Sequence, residues 1–442
     1  MRRPHTCLAE ALEHVKCFSD LPVVGVCAEQ VAHAFAAVWA LPCFASQPSQ
    51  HAVFAACRRW TLAAAESPLA LRPLAVGETR SFTAAQCRGI LASAILGNVA
   101  DVTRALKTNA GGLNFTQHLL GHAPVCMHKH AALLLYLCKG MELEGTEDDG
   151  RVITFERVAC PPAHEMQDRL RSATDVPLFP TESTLILQSG TMEAACAHDA
   201  QCTGFVNFAN AEFGYGCFIP SATQEEILQM CCPEFNIGMA LIGRMSDNEV
   251  VNVYGCRRFT SYSGYLETFC CDGLLPAATP PMVHDILTLD ACTQKHFSSD
   301  SQLRDLCKAY SSFAALVARH AAQSDVPSTA VISTGRWGSG AFGGLAAHKL
   351  VLKCIAARLA GVHLRFSTMG TPEGCDSVRD AMLQNDASVA DAWALLQQCQ
   401  RRETFVQAFC SGLILSSEAS RITRQAPGID PGAKRAASAS VV

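Results

Sequence analysis

Two carboxylates stand side by side in Thr223-Gln224-Glu225-Glu226-Ile227, shortly after the apolar run Val206-Asn207-Phe208-Ala209-Asn210 and the loop Gly214-Tyr215-Gly216. A carboxylic acid so placed can give a proton to a leaving oxygen and later take one from water, which is general acid–base work. The same residues also spell a helix start. Thr223 suits an N-cap, and Glu226, three residues on, stands where a capping box puts the carboxylate that bonds back to the cap amide. A second stretch, Thr334-Gly335-Arg336-Trp337-Gly338-Ser339-Gly340-Ala341-Phe342-Gly343-Gly344, lies between an apolar run and a helical one. Glycines at this density let backbone amides turn inward as an anion nest at a helix N-terminus. A flexible turn is the bland alternative. It is no Walker loop, because the lysine and hydroxyl are missing.

The elements that must hold these stretches alternate. Arg151 to Phe155 reads as a strand, as do Leu185 to Leu187, Gly204 to Phe208, Val250 to Tyr254, Ala330 to Thr334 and Val362 to Phe366. Helices are expected from Thr83 as N-cap through Leu106, over Lys129 to Met141, from Gln224, and over Ala346 to Leu359. Short strands alternating with helices imply a mixed α/β sheet flanked by helices. The division expected is a mainly helical accessory region over residues 1–178, an α/β domain over 179–412, and a disordered Ala/Ser/Pro-rich tail over 413–442.

Composition narrows the class. The chain has 442 residues, 49% of them hydrophobic, so most of it should fold around a sizeable core. A formal net charge of −5 speaks against broad adhesion to nucleic acid, which needs a basic face. It leaves room for an anionic ligand held by main-chain amides. The 23 cysteines contain no C-x-x-C pair, and the neighbours Cys231-Cys232 and Cys270-Cys271 are too close for relaxed disulfides. Without a signal-like N-terminus or a membrane-length apolar run, a reduced intracellular protein is expected. Cys126, His128 and His130 match no zinc spacing and read as a surface helix start, so no metal is expected. Trp337 reads as an anchor for its loop.

The two chemical stretches, taken together, resemble the signature of the poly(ADP-ribose) glycohydrolase family. That family carries a V-D-F-A-N strand, a triple-glycine loop, a Q-E-E helix start and a later G-x-W-G-x-G-A-F-G-G loop. Phe259 to Tyr265 resembles its Y-S-x-Y-x-G-Y, and Gly190-Thr191-Met192-Glu193 its G-T-I-E. The resemblance spans roughly residues 85 to 400. It implies a macrodomain-like mixed sheet sandwiched by helices, with an N-terminal mainly helical accessory domain. It implies hydrolysis of ribose–ribose bonds in ADP-ribose polymers without a cofactor. Glu226 would be the acid and base, and Glu225 would bind hydroxyls of the ribose being released. Asn207, Asn210 and Gln224 would help hold that sugar, and the backbone of Gly338, Ser339, Gly340, Ala341 and Phe342 would cradle the diphosphate. Glu193 would bond the adenine, with Tyr262 stacked near it. Poly(ADP-ribose) and ADP-ribosylated proteins are the expected partners of a monomer that binds neither nucleic acid nor membrane, with nuclear residence following from the family.

Neighbouring carboxylates on a helix point about 100° apart, so they cannot flank a sugar carbon from opposite faces as in the usual two-carboxylate glycosidases. One acid must serve both steps. Four departures bear on the activity: Asn207 replaces the family's aspartate, Tyr215 its middle loop glycine, Leu345 the aspartate after F-G-G, and Met369 an aromatic near the adenine site. They keep open a second class, an ADP-ribose-binding module with weak or absent hydrolysis.

Overall fold

The computed structural model describes residues 28–66, 71–95, 113, 115, 123–194, 202–276, 282–323 and 329–425. In its N-terminal part helices α1 (Ala28–Trp39), α2 (Gln50–Glu66), α3 (Ala84–Ile95), α4 (Pro124–Leu143) and α5 (Ala163–Ser172) accompany two strands, β1 (Thr79–Thr83) and β2 (Val152–Ala159). Strands β3 (Leu185–Gln188) and β4 (Cys202–Ala209), helix α6 (Gln224–Cys231), strand β5 (Glu249–Arg258) and the hairpin β6 (Thr260–Ser263) and β7 (Cys270–Leu274) follow. Then come β8 (Met282–Asp290), α7 (Ser299–Gln323), β9 (Val331–Gly335), α8 (Ala346–Ala360), β10 (His363–Ser367), α9 (Cys375–Gln384), α10 (Val389–Gln398) and α11 (Phe405–Gln425).

Eight strands form one sheet in the order β1-β2-β5-β8-β4-β9-β10-β3. Strands β8, β4, β9, β10 and β3 run parallel, while β1, β2 and β5 pair antiparallel at the other end. Parallel strands need cover on both faces. Accordingly Val206 on β4, Ile286 and Leu287 on β8, and Val331 and Ile332 on β9 are all buried. This is the mixed α/β macro-type architecture with a helical N-terminal region.

Two expectations need correction. The tail was expected from residue 413, yet α11 continues to Gln425 because Phe409 and Leu413 are buried among neighbouring helices. Residues 426–442 lie outside the described ones. Cys126 and His130 do not mark a surface helix start. Both are buried on α4, with His130 against the Phe35 ring at 5.1 Å. The sheet also runs across the expected boundary at residue 178, since β2 from the accessory side pairs with β5.

Candidate active site

The site forms where neighbouring parallel strands end, the usual ligand crevice of an open α/β sheet. β4 leads into Asn210, β9 into Arg336, and β10 toward Met369, and all three residues line one cavity of about 630 Å³. Glu225 and Glu226 from α6, Glu193 and Tyr262, and Gly338, Gly340, Ala341 and Phe342 line it as well. The two glycine-bearing stretches, more than a hundred residues apart in sequence, therefore share a cleft.

Helix α6 begins as its sequence dictates. Thr223 is extended, and its amide and hydroxyl donate to Glu226 Oε2 at 2.7 and 2.6 Å. The capping box is real, but it occupies only one carboxylate oxygen. Oε1 accepts no hydrogen bond from the described residues and rests against Gly216, where an added β-carbon would come within 1.6 Å of it. The cap thus orients the acid and leaves its second oxygen for chemistry.

Glu225 is buried. Its Oε2 accepts the Asn210 amide at 3.0 Å, and Asn207 Nδ2 reaches Oε1 at 3.5 Å. Burial, and then the charge of Glu226, push its carboxyl well above the usual range, while the amides of Asn210, Asn207 and Gly214 pull it back. Asn207 lies beneath the cavity rather than in its wall, so it supports Glu225. Gln224 lines the cavity, yet both ends of its amide are engaged with β4: Oε1 accepts from Phe208 N at 2.8 Å and Nε2 donates to Val206 O at 3.1 Å. It docks the start of α6 onto the strand.

The second loop has the geometry of a nest. Amides of Ser339, Gly343 and Gly344 are spent on Arg336, Gly340 and Gly338 carbonyls at 2.9–3.0 Å. Those of Gly338, Gly340, Ala341 and Phe342 have no acceptor among the described residues. Gly338 has φ 69°, and a β-carbon there would stand 2.6 Å from Ala291. Ser339 is buried outside the cavity wall, its hydroxyl without a partner among the described residues. Trp337 anchors the loop by donating to Leu289 O at 2.8 Å. From below, Lys353 donates to Thr334 Oγ1 and Gly335 O, and Lys349 pairs with Asp305.

At the far wall Arg258 donates to Glu193 at 3.2 Å, and the Tyr262 hydroxyl reaches the same carboxylate at 3.4 Å. Tyr215 does not carry the left-handed turn. Gly214 does, with φ 78°, and Tyr215 opens the short 3-10 turn that follows. Leu345 caps α8 without a side-chain bond. Glu373 supplies the missing acceptor, taking the Ala346 amide at 3.2 Å and pairing with Arg336.

Sequence reasoning assigned no role to Lys129, Tyr265 or Arg336. Lys129 is fully buried on α4 and donates to the carbonyls of Gly216, Cys217 and Ile219 at 3.0, 3.3 and 2.8 Å. Its signal was present: a lysine, followed by His130, leading directly into the apolar run Ala131 to Cys138.

The fold and this crevice define a macro-type α/β domain with a nucleotide-sized pocket. A family model described as poly(ADP-ribose) glycohydrolase, macro domain fold, matches residues 180–376, and that domain of the chain belongs to the poly(ADP-ribose) glycohydrolase family. Poly(ADP-ribose) glycohydrolase 1 of Caenorhabditis elegans is 28% identical over 250 residues, which are 52% of this chain and 32% of that protein. Poly(ADP-ribose) glycohydrolase 1 of Arabidopsis thaliana is 37% identical over 116 residues, 24% of this chain and 21% of that protein. The chain therefore spans a third or less of the length of these relatives. The crystal structure of the Thermomonospora curvata poly(ADP-ribose) glycohydrolase matches at 18% identity and a TM-score of 0.35, over 53% of this chain and 85% of that one.

Proposed function

We propose that this chain hydrolyses the ribose–ribose O-glycosidic bonds of ADP-ribose polymers and releases ADP-ribose, with Glu226 as general acid and base. One observation carries the reading: a single cleft is lined both by a carboxylate with one free oxygen and by a loop with unspent main-chain amides. The amides of Gly338 and Gly340 to Phe342 suit a diphosphate, which the nest binds without lysine. Glu193, held by Arg258 and Tyr262, faces the adenine. Glu225 and Asn210 hold hydroxyls of the ribose at the scissile bond.

The step balances on one acid. Glu226 gives its proton to the 2′-oxygen of the departing ribose as the C1″–O bond breaks, and positive charge gathers on the sugar. The bound diphosphate stabilises that charge. Glu226, now a carboxylate, takes a proton from the water that adds to C1″ and is restored. Poly(ADP-ribose) and ADP-ribosylated proteins are the partners this implies, and nuclear residence follows from the substrate.

A Glu226→Gln variant keeps the cap and the cavity shape. It should slow ADP-ribose release from labelled polymer by roughly a hundred- to ten-thousand-fold, with ADP-ribose affinity by calorimetry nearly unchanged. A variant of near-normal rate refutes the assignment. Wild-type protein that binds ADP-ribose but releases none from polymer is a binding module instead.

A further inference from the structure

We propose that Tyr215, with Tyr265 and Ile219, forms a platform for the adenine of the departing nucleotide, so that the cleft favours polymer over shorter ligands. The inference rests on the reading of the site just given. Tyr215, Tyr265 and Ile219 are 46%, 44% and 39% exposed and all three line the cavity. A single exposed apolar side chain needs no explanation, but large ones gathered on a cleft rim mark a contact surface.

The position of this rim decides what it touches. Tyr215 is followed by Gly216, the residue against which Glu226 Oε1 rests. The ring therefore stands one residue from the proton donor. The proton goes to the leaving oxygen, so whatever that oxygen carries must pass this edge of the cleft. In a polymer it carries an adenosine, whose base offers a flat face. Two tyrosine rings and an aliphatic side chain suit such a face, and stacking of a base on an aromatic ring is sequence-tolerant and strong enough to matter.

The backbone beneath the ring is held in place. Gly214 takes the left-handed conformation, Tyr215 N donates to Glu212 O at 3.0 Å, and Cys217 N donates to Gly214 O at 3.0 Å. Lys129 grips the carbonyls of the same turn from behind. A prearranged aromatic surface loses little freedom on binding.

The test uses the full chain carrying Glu226→Gln, which consumes its ligand far more slowly than the wild type, and two probes: ADP-ribose and a two-unit ADP-ribose oligomer. The oligomer should bind roughly tenfold more tightly than ADP-ribose. Adding Tyr215→Ala should erase that advantage, and Tyr215→Phe should keep it. An oligomer advantage that survives Tyr215→Ala overturns the platform, as does tighter oligomer binding in that variant, which would make the ring an obstruction. Failure of the Glu226→Gln protein to bind either probe counts instead against the reading of the cleft, and the platform falls with it.

Discussion

Glu225 and Glu226 share a helix start but meet different surroundings. Glu226 sits in its capping box with one oxygen free. Glu225 is a buried part of the cavity wall, where burial and its neighbour's charge oppose ionisation. The sign of the linkage follows. Its folded value is raised above the ordinary 4.5, so its contribution to stability is full below that value and is lost as the pH climbs through the raised one. Glu225→Gln removes the ionisable group. The melting temperature of that variant, minus that of the wild type, should therefore become more positive between pH 5 and pH 8 in scanning calorimetry of ligand-free protein. A difference that stays flat or shrinks over that range contradicts the burial argument.

At the scale of elements, the turn behind Glu226 depends on α4, a helix of the N-terminal region. α4 delivers Lys129, whose ammonium replaces water for three carbonyls of the 214–219 loop. Burial pulls this ammonium below its ordinary value, and the nearby Cys217 and Glu226 raise it again. Lys129→Met keeps the length and loses the donors, so the turn behind Glu226 relaxes. A displacement of about an ångström at a reacting group costs roughly a hundredfold in rate. The expected result is that loss in kcat with ADP-ribose affinity almost unchanged. Equal losses in binding and turnover would mean that the lysine only holds the fold together. Helix α8 shows a second substitution of parts. Its cap residue is the apolar Leu345, and Glu373, two residues before the start of α9, accepts the first amide in its place. The family's carboxylate at this helix start is thus replaced by one from another segment.

On the scale of the whole molecule, one sheet joins the N-terminal region to the macro-type part of the chain. β2 pairs with β5, and Arg151 at the start of β2 donates to Glu234 at 2.6 and 2.9 Å and to Gly255 O at 2.7 Å. Asp148 bonds both Arg151 and Arg257. Glu234 is buried, and burial, with the nearby charge of Asp148, raises its carboxyl while Arg151 and the Arg257 amide lower it. Arg151→Met leaves that carboxylate without its main partner. Breaking a buried pair on one side costs about 3 kcal/mol, so the urea midpoint should fall clearly and in a single transition. A midpoint close to that of the wild type would show the network to be dispensable.

Much of this was legible in the sequence. The strands that carry the site, β4 and β9, and the helices α6 and α8 are marked by apolar period, by caps and by glycine punctuation, all of which are local properties. Thr223 and Glu226 lie three residues apart, so their bond follows from helix geometry alone. β1, β8 and the β6–β7 hairpin had no such clear mark, because their pairing is decided by distant strands. What only the tertiary structure decided is distance between remote segments. It brought the glycine loop and Glu226 to one cavity, put Lys129 behind Gly216, and left the Tyr215 ring exposed at that cavity while Gly214 took the left-handed turn. Residue types fix what each group can do. Which groups face one another depends on how the sheet closes, and no local rule contains that.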